Sequence, residues 1–138
     1  MGGDLPSLDP VAIESLRALE GPDDPHFFAD LVGQFVKHAD AAIPGIRSAA
    51  AKGDAKGVEG LAHGLKGSSG NMGAMRMHGL CAELQKAGSS RSLGGAAATV
   101  EALADEYASV RARLLQEAHE GAVPTAPRPP SAGPSDRR

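Results

Sequence analysis

His63 and Lys66 are the two side chains in this sequence whose types and spacing point most directly to chemistry. They lie in the stretch HGLKGSSGNMG, His63 to Gly73, which also holds four glycines and two serines. Neutral imidazole is a nucleophile near pH 7 and can take a phosphoryl group on nitrogen. No separate general base is needed, because one ring nitrogen already carries a free lone pair. An ammonium one turn away can neutralise the phosphoryl oxygens as a flexible point charge.

Other readings of the stretch fail on spacing. A nucleotide loop needs GxxxxGK[ST] after a strand, whereas here Lys66 precedes Gly67-Ser68-Ser69 and no strand precedes it. GxGxxG is absent, and Gly67-Ser68-Ser69-Gly70 is not the GxSxG of a nucleophile elbow. For metal, the histidines His26, His38, His63, His78 and His119 form no HExxH. Glu59 and His63 are one turn apart, as are His78 and Cys81, but a lone cysteine on an apolar helix face reads as core. The inward faces lack the carboxylates that a di-iron bundle needs. No metal and no cofactor are expected.

The stretch reads as helix instead. Leu61 and Leu65 flank His63 and are expected to define a buried face with Val58 and Ala62, so His63 points outward. Glu59, Gly60, Lys66 and Gly67 would share the exposed side with it. Gly60, Gly64 and Gly67 then sit inside a helix, where each costs about 1 kcal/mol relative to alanine. Close helix packing is a sufficient reason for Gly64. Gly67 lies on the exposed side, where a missing side chain gives an outside partner room to approach the imidazole.

Helices must position this site, and the sequence supplies five. Asp9-Pro10 is a cap and first-turn pair, predicting a helix to about Glu20 that ends at Gly21-Pro22, with Ala12, Leu16 and Leu19 inward. Asp24-Pro25 repeats the signal. Phe28, Leu31, Val32 and Phe35, then Ala39, Ala42, Ile43 and Ile46, predict a second helix to about Lys52, kinked at Pro44. Gly53 closes it and Asp54 caps the third helix, which starts at about Ala55 and ends in a turn from Gly70 to Gly73. The fourth spans roughly Ala74 to Ala87, with Met77, Leu80, Cys81 and Leu84 inward, and Gly88-Ser89-Ser90 breaks it. The last runs from about Ser92 to His119. It has the clearest period: Leu93, Ala96 or Ala97, Val100, Leu103, Tyr107, Val110 and Leu114.

No stretch alternates with period two. The expected fold is all-α: an antiparallel up-down-up-down four-helix bundle with a short extra N-terminal helix. Residues 1–8 read as a leader with Leu5 and Leu8 against the body, 9–119 as the bundle, and 120–138 as a disordered Pro-rich tail.

Composition bounds the function. The chain has 138 residues, enough for one modest core, and a net charge of −3 that does not favour nucleic acid. Beyond Gly121 lie Arg128, Arg137 and Arg138 against Asp136, leaving 11 basic and 16 acidic side chains, about −5, on the rest. One cysteine, Cys81, allows no internal disulfide and fits a reducing compartment. No apolar run approaches membrane-spanning length, and no signal segment opens the chain. A monomeric cytoplasmic protein without membrane or nucleic-acid partners is expected.

At Ala62-His63-Gly64-Leu65-Lys66-Gly67-Ser68-Ser69, then Gly73-Ala74, then Leu80-Cys81 and Leu84, the sequence resembles the histidine-containing phosphotransfer (HPt) domains of two-component phosphorelays. Leu8-Asp9-Pro10, the Phe28, Leu31, Phe35 helix, and Ala49 with Gly53-Asp54 also match, so the resemblance covers about residues 5–115. It implies that His63 accepts a phosphoryl group from an aspartyl phosphate on a response-regulator receiver domain. His63 would then pass the group to another receiver or return it, within a relay that starts at a hybrid or other sensor histidine kinase. Lys66 would stabilise the phosphoryl oxygens, Gly67 would clear space for the receiver, and Ser68 and Ser69 would serve packing. Mg²⁺ would belong to the receiver. The chain would be a phosphocarrier with no ATP site and no kinase or phosphatase activity of its own. Gly64 departs from the larger residues usual after the histidine, which should loosen the helix there. A polar residue of the second helix is often near the histidine in such domains; Gln34 and His38 are both placed for that. Two rivals accompany this reading: a bundle that binds a receiver or kinase as an inhibitor without carrying phosphate, and a module cut from a larger kinase.

Overall fold

The computed structural model describes residues 7–122. Five helices follow one another: α1 (Pro10–Arg17), α2 (Phe27–Lys52), α3 (Ala55–Asn71), α4 (Met75–Ser89) and α5 (Ala96–Ala122). Leu5 and the Pro-rich segment beyond Ala122 lie outside the described residues. Among those residues there is no strand, only an isolated bridge between Gly21 and Asp24.

Helices α2 to α5 form the bundle. α3 packs on α2 and α4, α5 on α2 and α4, and short connections make sequential neighbours antiparallel. The all-α up-down-up-down bundle with an extra N-terminal helix is the observed fold. Its core is continuous: Phe28, Val32, Phe35 and Ile46 from α2, Val58, Ala62 and Leu65 from α3, Met77, Cys81 and Leu84 from α4, and Val100, Leu103, Val110 and Leu114 from α5. α2 runs unbroken through Pro44, where Tyr107 of α5 donates its hydroxyl to the Asp40 carboxylate at 2.7 Å.

Several boundaries form as their residues dictate. The Asp9 carboxylate accepts the Val11 N–H at 3.0 Å ahead of Pro10. Gly53 ends α2 at φ +74°, and Asp54 caps α3 by accepting from Gly57 N–H at 3.0 Å. Gly73, at φ +77°, turns α3 into α4, and its carbonyl accepts the Asp9 N–H at 2.8 Å. This bond ties α1 to the α3–α4 turn. Arg17 fastens the other end of α1: its guanidinium pairs with Glu117 of α5 at 2.7 Å and lies over the Phe28 ring at 5.1 Å.

Other expectations need correction. α1 stops at Arg17, because the Leu19 and Glu20 N–H groups bond three residues back, tightening the chain out of α geometry. Leu19 is therefore exposed, and Ile13 takes the buried place. Asp24 does not cap α2. The helix begins at Phe27, and the Glu20 carboxylate instead accepts the Phe28 N–H at 2.9 Å. Leu61 is 38% exposed rather than core. It leans over Gly45 of α2, which offers no side chain to enclose it, and Ser69 completes the buried row of α3 with its hydroxyl donated to Leu65 O at 2.7 Å. Helix α3 continues past Gly70 to Asn71, and α5 starts only after Gly94-Gly95.

Gly88 is the largest correction, since it lies inside α4 rather than ending it. It is buried, and a Cβ there would fall 2.6 Å from the Ala55 carbonyl oxygen and 2.6 Å from the Glu59 nitrogen. The glycine lets the two backbones touch. Gly88→Ala should therefore destabilise the protein by about 1–3 kcal/mol, although alanine is the better helix former. Urea unfolding measures this, and an unchanged midpoint would refute the contact.

Cys81 is fully buried, and burial pushes its thiol up to about 12, outweighing the Ser69 hydroxyl contact that acts the other way. The folded thiol stays protonated where the unfolded one ionises. That contribution to stability is whole below the unfolded value and is lost as pH rises toward the folded one. At pH 8 the native thiol should react with a disulfide reagent about 10³-fold more slowly than in denaturant. Equal rates would mean that the α3–α4 seam opens readily.

Candidate functional site

Helix α3 carries the site, and its rotation is set by what it buries. Val58, Ala62 and Leu65 are each 0% exposed, and Ser69 lies among them. At 100° per residue His63 cannot share that face, and it is exposed. Lys66 is half-buried one turn on, and Gly67 is exposed. Apart from its chain neighbours and the surrounding backbone of α3 itself, no described atom lies within 4 Å of where a Gly67 Cβ would stand, nor of a Gly60 Cβ. The three predicted residues thus occupy one outward surface, His63 and Gly67 most openly.

His63 lines a shallow hollow of about 410 Å³ with Lys56, Glu59 and Gly60 of α3 and Gln85 of α4. The Gln85 Oε1 atom is buried there without a hydrogen-bond donor among the described residues. A buried amide oxygen left unpaired costs about 1–3 kcal/mol, so it marks a place where a donor is expected. The Gly88 contact holds this part of α4 against α3, where Gln85 and the histidine line the same hollow.

Lys66 is anchored from the same side. The half-buried His78 of α4 donates its Nδ1–H to the Lys66 carbonyl at 3.0 Å. A carbonyl only accepts, so this bond fixes the His78 tautomer. The His78 ring lies where a Gly70 side chain would go, 3.1 Å from the Cβ position.

The opposite edge of α3 faces α2. Gln34 and His38 both line a second hollow of about 300 Å³ with Leu31, Phe35, Ser68, Asn71 and Met72. His38 makes the polar contact to α3: its Nδ1 lies 2.8 Å from the Ser68 hydroxyl oxygen, which in turn lies 3.2 Å from Gly64 O. Its ring stands 3.8 Å from the Gly64 Cβ position, in ordinary contact distance. Gly64 therefore meets an imidazole rather than a close helix backbone. Among the described residues no three His, Cys, Asp or Glu side chains are grouped so as to hold a metal ion. No described helix is long and apolar enough to cross a membrane.

Sequence reasoning missed Gln85, Lys56 and the His78 anchor. Gln85 follows the inward Leu84, so a border position was legible. Which neighbouring helix it borders was not, since periodicity gives a face and no partner. Lys56 was legible as seven residues before His63, two turns along one line.

Comparison with known proteins places the chain in a family. The Hpt domain family profile matches residues 30–113, more than half of the chain, and the chain belongs to that family. It is 31% identical to histidine-containing phosphotransfer protein B (HptB) of Pseudomonas aeruginosa PAO1, with a TM-score of 0.76 over 85% of this chain and 98% of that one. It is also 30% identical over 88 residues to multistep phosphorelay regulator 1 of Schizosaccharomyces pombe, covering 64% of this chain and 30% of that protein. The chain thus spans under a third of that curated relative. Its function is histidine phosphotransfer in two-component signalling.

Because nothing inside the protein fills the space beside Gly67, Gly67→Ala should leave the fold intact and raise stability by about 0.5–1 kcal/mol. Thermal unfolding tests this. A loss of stability like that expected at Gly88 would make Gly67 a packing glycine.

Proposed function

We propose that His63 is the residue that carries the phosphoryl group, taking it from an aspartyl phosphate on a receiver domain and yielding it to a second receiver. The observation that supports this most is an exposed imidazole on α3 with Lys66 one turn on, Gly67 bare beside it and an unpaired buried oxygen of Gln85 across the hollow.

The chemistry follows from those groups. The reacting tautomer of His63 carries its proton on Nδ1 and its lone pair on Nε2, and a rotation of the Gln85 side chain would let Oε1 accept that Nδ1–H. Nε2 attacks phosphorus, the P–N bond forms as the P–O bond to the aspartate breaks, and the aspartate leaves as carboxylate. The Nδ1 proton stays where it is, so nothing on this chain need remove one. Lys66 balances charge on the phosphoryl oxygens. The reverse step is the same exchange with a new aspartate as acceptor. Mg²⁺ is assigned to the receiver and ATP to a separate kinase, which makes this chain a carrier rather than a catalyst of its own; the same reading takes it as a monomeric cytoplasmic protein.

Incubation with a panel of labelled phospho-receivers tests the assignment. Label should pass to the wild type and not to His63→Gln. Lys66→Ala should slow transfer about 10- to 100-fold, less than in an enclosed site because solvent screens the charge. Full labelling of His63→Gln would sink the assignment. Receiver binding by the wild type without any label would favour an inhibitor.

A further inference from the structure

Lys56, Gly60, His63 and Gly67 stand at i, i+4, i+7 and i+11, which is one line down the outer side of α3. His63 is thus bracketed by two helical glycines whose Cβ positions meet nothing within 4 Å beyond their chain neighbours and the adjacent backbone of α3. The line continues two turns toward the helix N-terminus and ends on a lysine. Lys56 is exposed, borders the same hollow as His63, and has no ion pair among the described residues. This is a local cation on a body that carries 16 acidic against 11 basic side chains, Lys56 included.

We propose that Lys56 and Gly60 extend the docking footprint of the receiver along α3, with Gly60 giving clearance and Lys56 choosing partners by charge. This rests on His63 being the phosphoryl carrier. Three observations support the occupant. The footprint is continuous with the reacting imidazole. Gly60 repeats on one side of His63 the bare geometry that Gly67 has on the other, and neither packs against anything in the protein. The donor presents an aspartyl phosphate, a concentrated negative charge that an acidic body repels except where a free ammonium meets it. Glu59 lines the same hollow and opposes that attraction. Lys56 and Lys66, on either side of the imidazole along α3, offset it. Lys56 acts on encounter and on choice of receiver and does not touch the transferred group.

The test separates docking from chemistry. Wild type, Lys56→Glu, Lys56→Arg, Gly60→Leu and His63→Gln are each labelled in two ways: from a phospho-receiver, and from phosphoramidate, a small donor that needs no docking surface. Lys56→Glu should lower kcat/KM for receiver transfer about tenfold at low salt, with the gap closing as salt rises, and Lys56→Arg should keep the wild-type rate. Gly60→Leu should slow receiver transfer at least as much while its melting temperature stays level or rises. Both should take label from phosphoramidate at the wild-type rate. Unchanged receiver transfer in Lys56→Glu and Gly60→Leu would overturn this inference and leave His63 standing. Loss of phosphoramidate labelling in Lys56→Glu would also overturn it, by placing Lys56 on the phosphoryl group. Labelling of His63→Gln would instead remove the reading on which it rests.

Discussion

The structure depends on how closely α4 lies against α3. At one end the two backbones touch at Gly88, whose missing side chain leaves room for the Ala55 carbonyl and the Glu59 amide. At the other end the His78 ring fills the space over Gly70 and bonds the Lys66 carbonyl. Between them Val58, Ala62 and Leu65 are sealed with Met77, Cys81 and Leu84 into one core. A helix held at both ends and along its length has no freedom to rotate. Turning α3 by one residue would bury His63 and expose Ala62, at the cost of the whole row. The direction of the imidazole is thus a consequence of packing on the far side of its helix.

That arrangement explains why glycine appears in two opposite roles within one helical pair. Gly88 and Gly70 face protein atoms, and any side chain there meets backbone or a ring. Gly60 and Gly67 face solvent and meet nothing. The first kind stabilises the bundle by closing an interface. The second costs about 1 kcal/mol per position with no return inside the chain. Such a cost is consistent with selection for approach by another molecule, and it falls on the line that contains His63.

Much of this was legible in the sequence. Helical periodicity placed the buried residues of α2 and α5 because both are long, and Asp9, Gly53 and Asp54 marked ends through local side-chain and backbone geometry alone. His63 was read as outward because its neighbours on the inward face were apolar. The errors arose where a distant residue decided the outcome. Leu61 is apolar and at core spacing, yet Gly45 of another helix leaves it half in solvent. Asp24 has the form of a cap, yet Glu20 does the work from eight residues before Phe28. Gly88 looked like a breaker because intrinsic propensity favours that reading, and tertiary contact overrode it. Gln85 was missed for the same reason: only the approach of α4 to α3 makes its amide a neighbour of the histidine.

The openness of the site also limits where rate acceleration can come from. Preorganised dipoles lower barriers most in a dry cavity, where charges interact strongly. His63 is exposed and lines a shallow hollow open to water, so on the reading proposed above the Lys66 ammonium would act largely through solvent and contribute modestly. What the structure supplies instead is display: an imidazole in a fixed direction, on a surface that glycine leaves clear. A receiver that closes over the hollow would expel its water and strengthen the Lys66 interaction when the phosphoryl group moves. The same closure would be absent between encounters, which suits a group that has to persist on nitrogen until the next partner arrives. Exposure of the imidazole is then part of how a carrier differs from an enzyme, since the enclosing half of the active site comes with whichever receiver is bound.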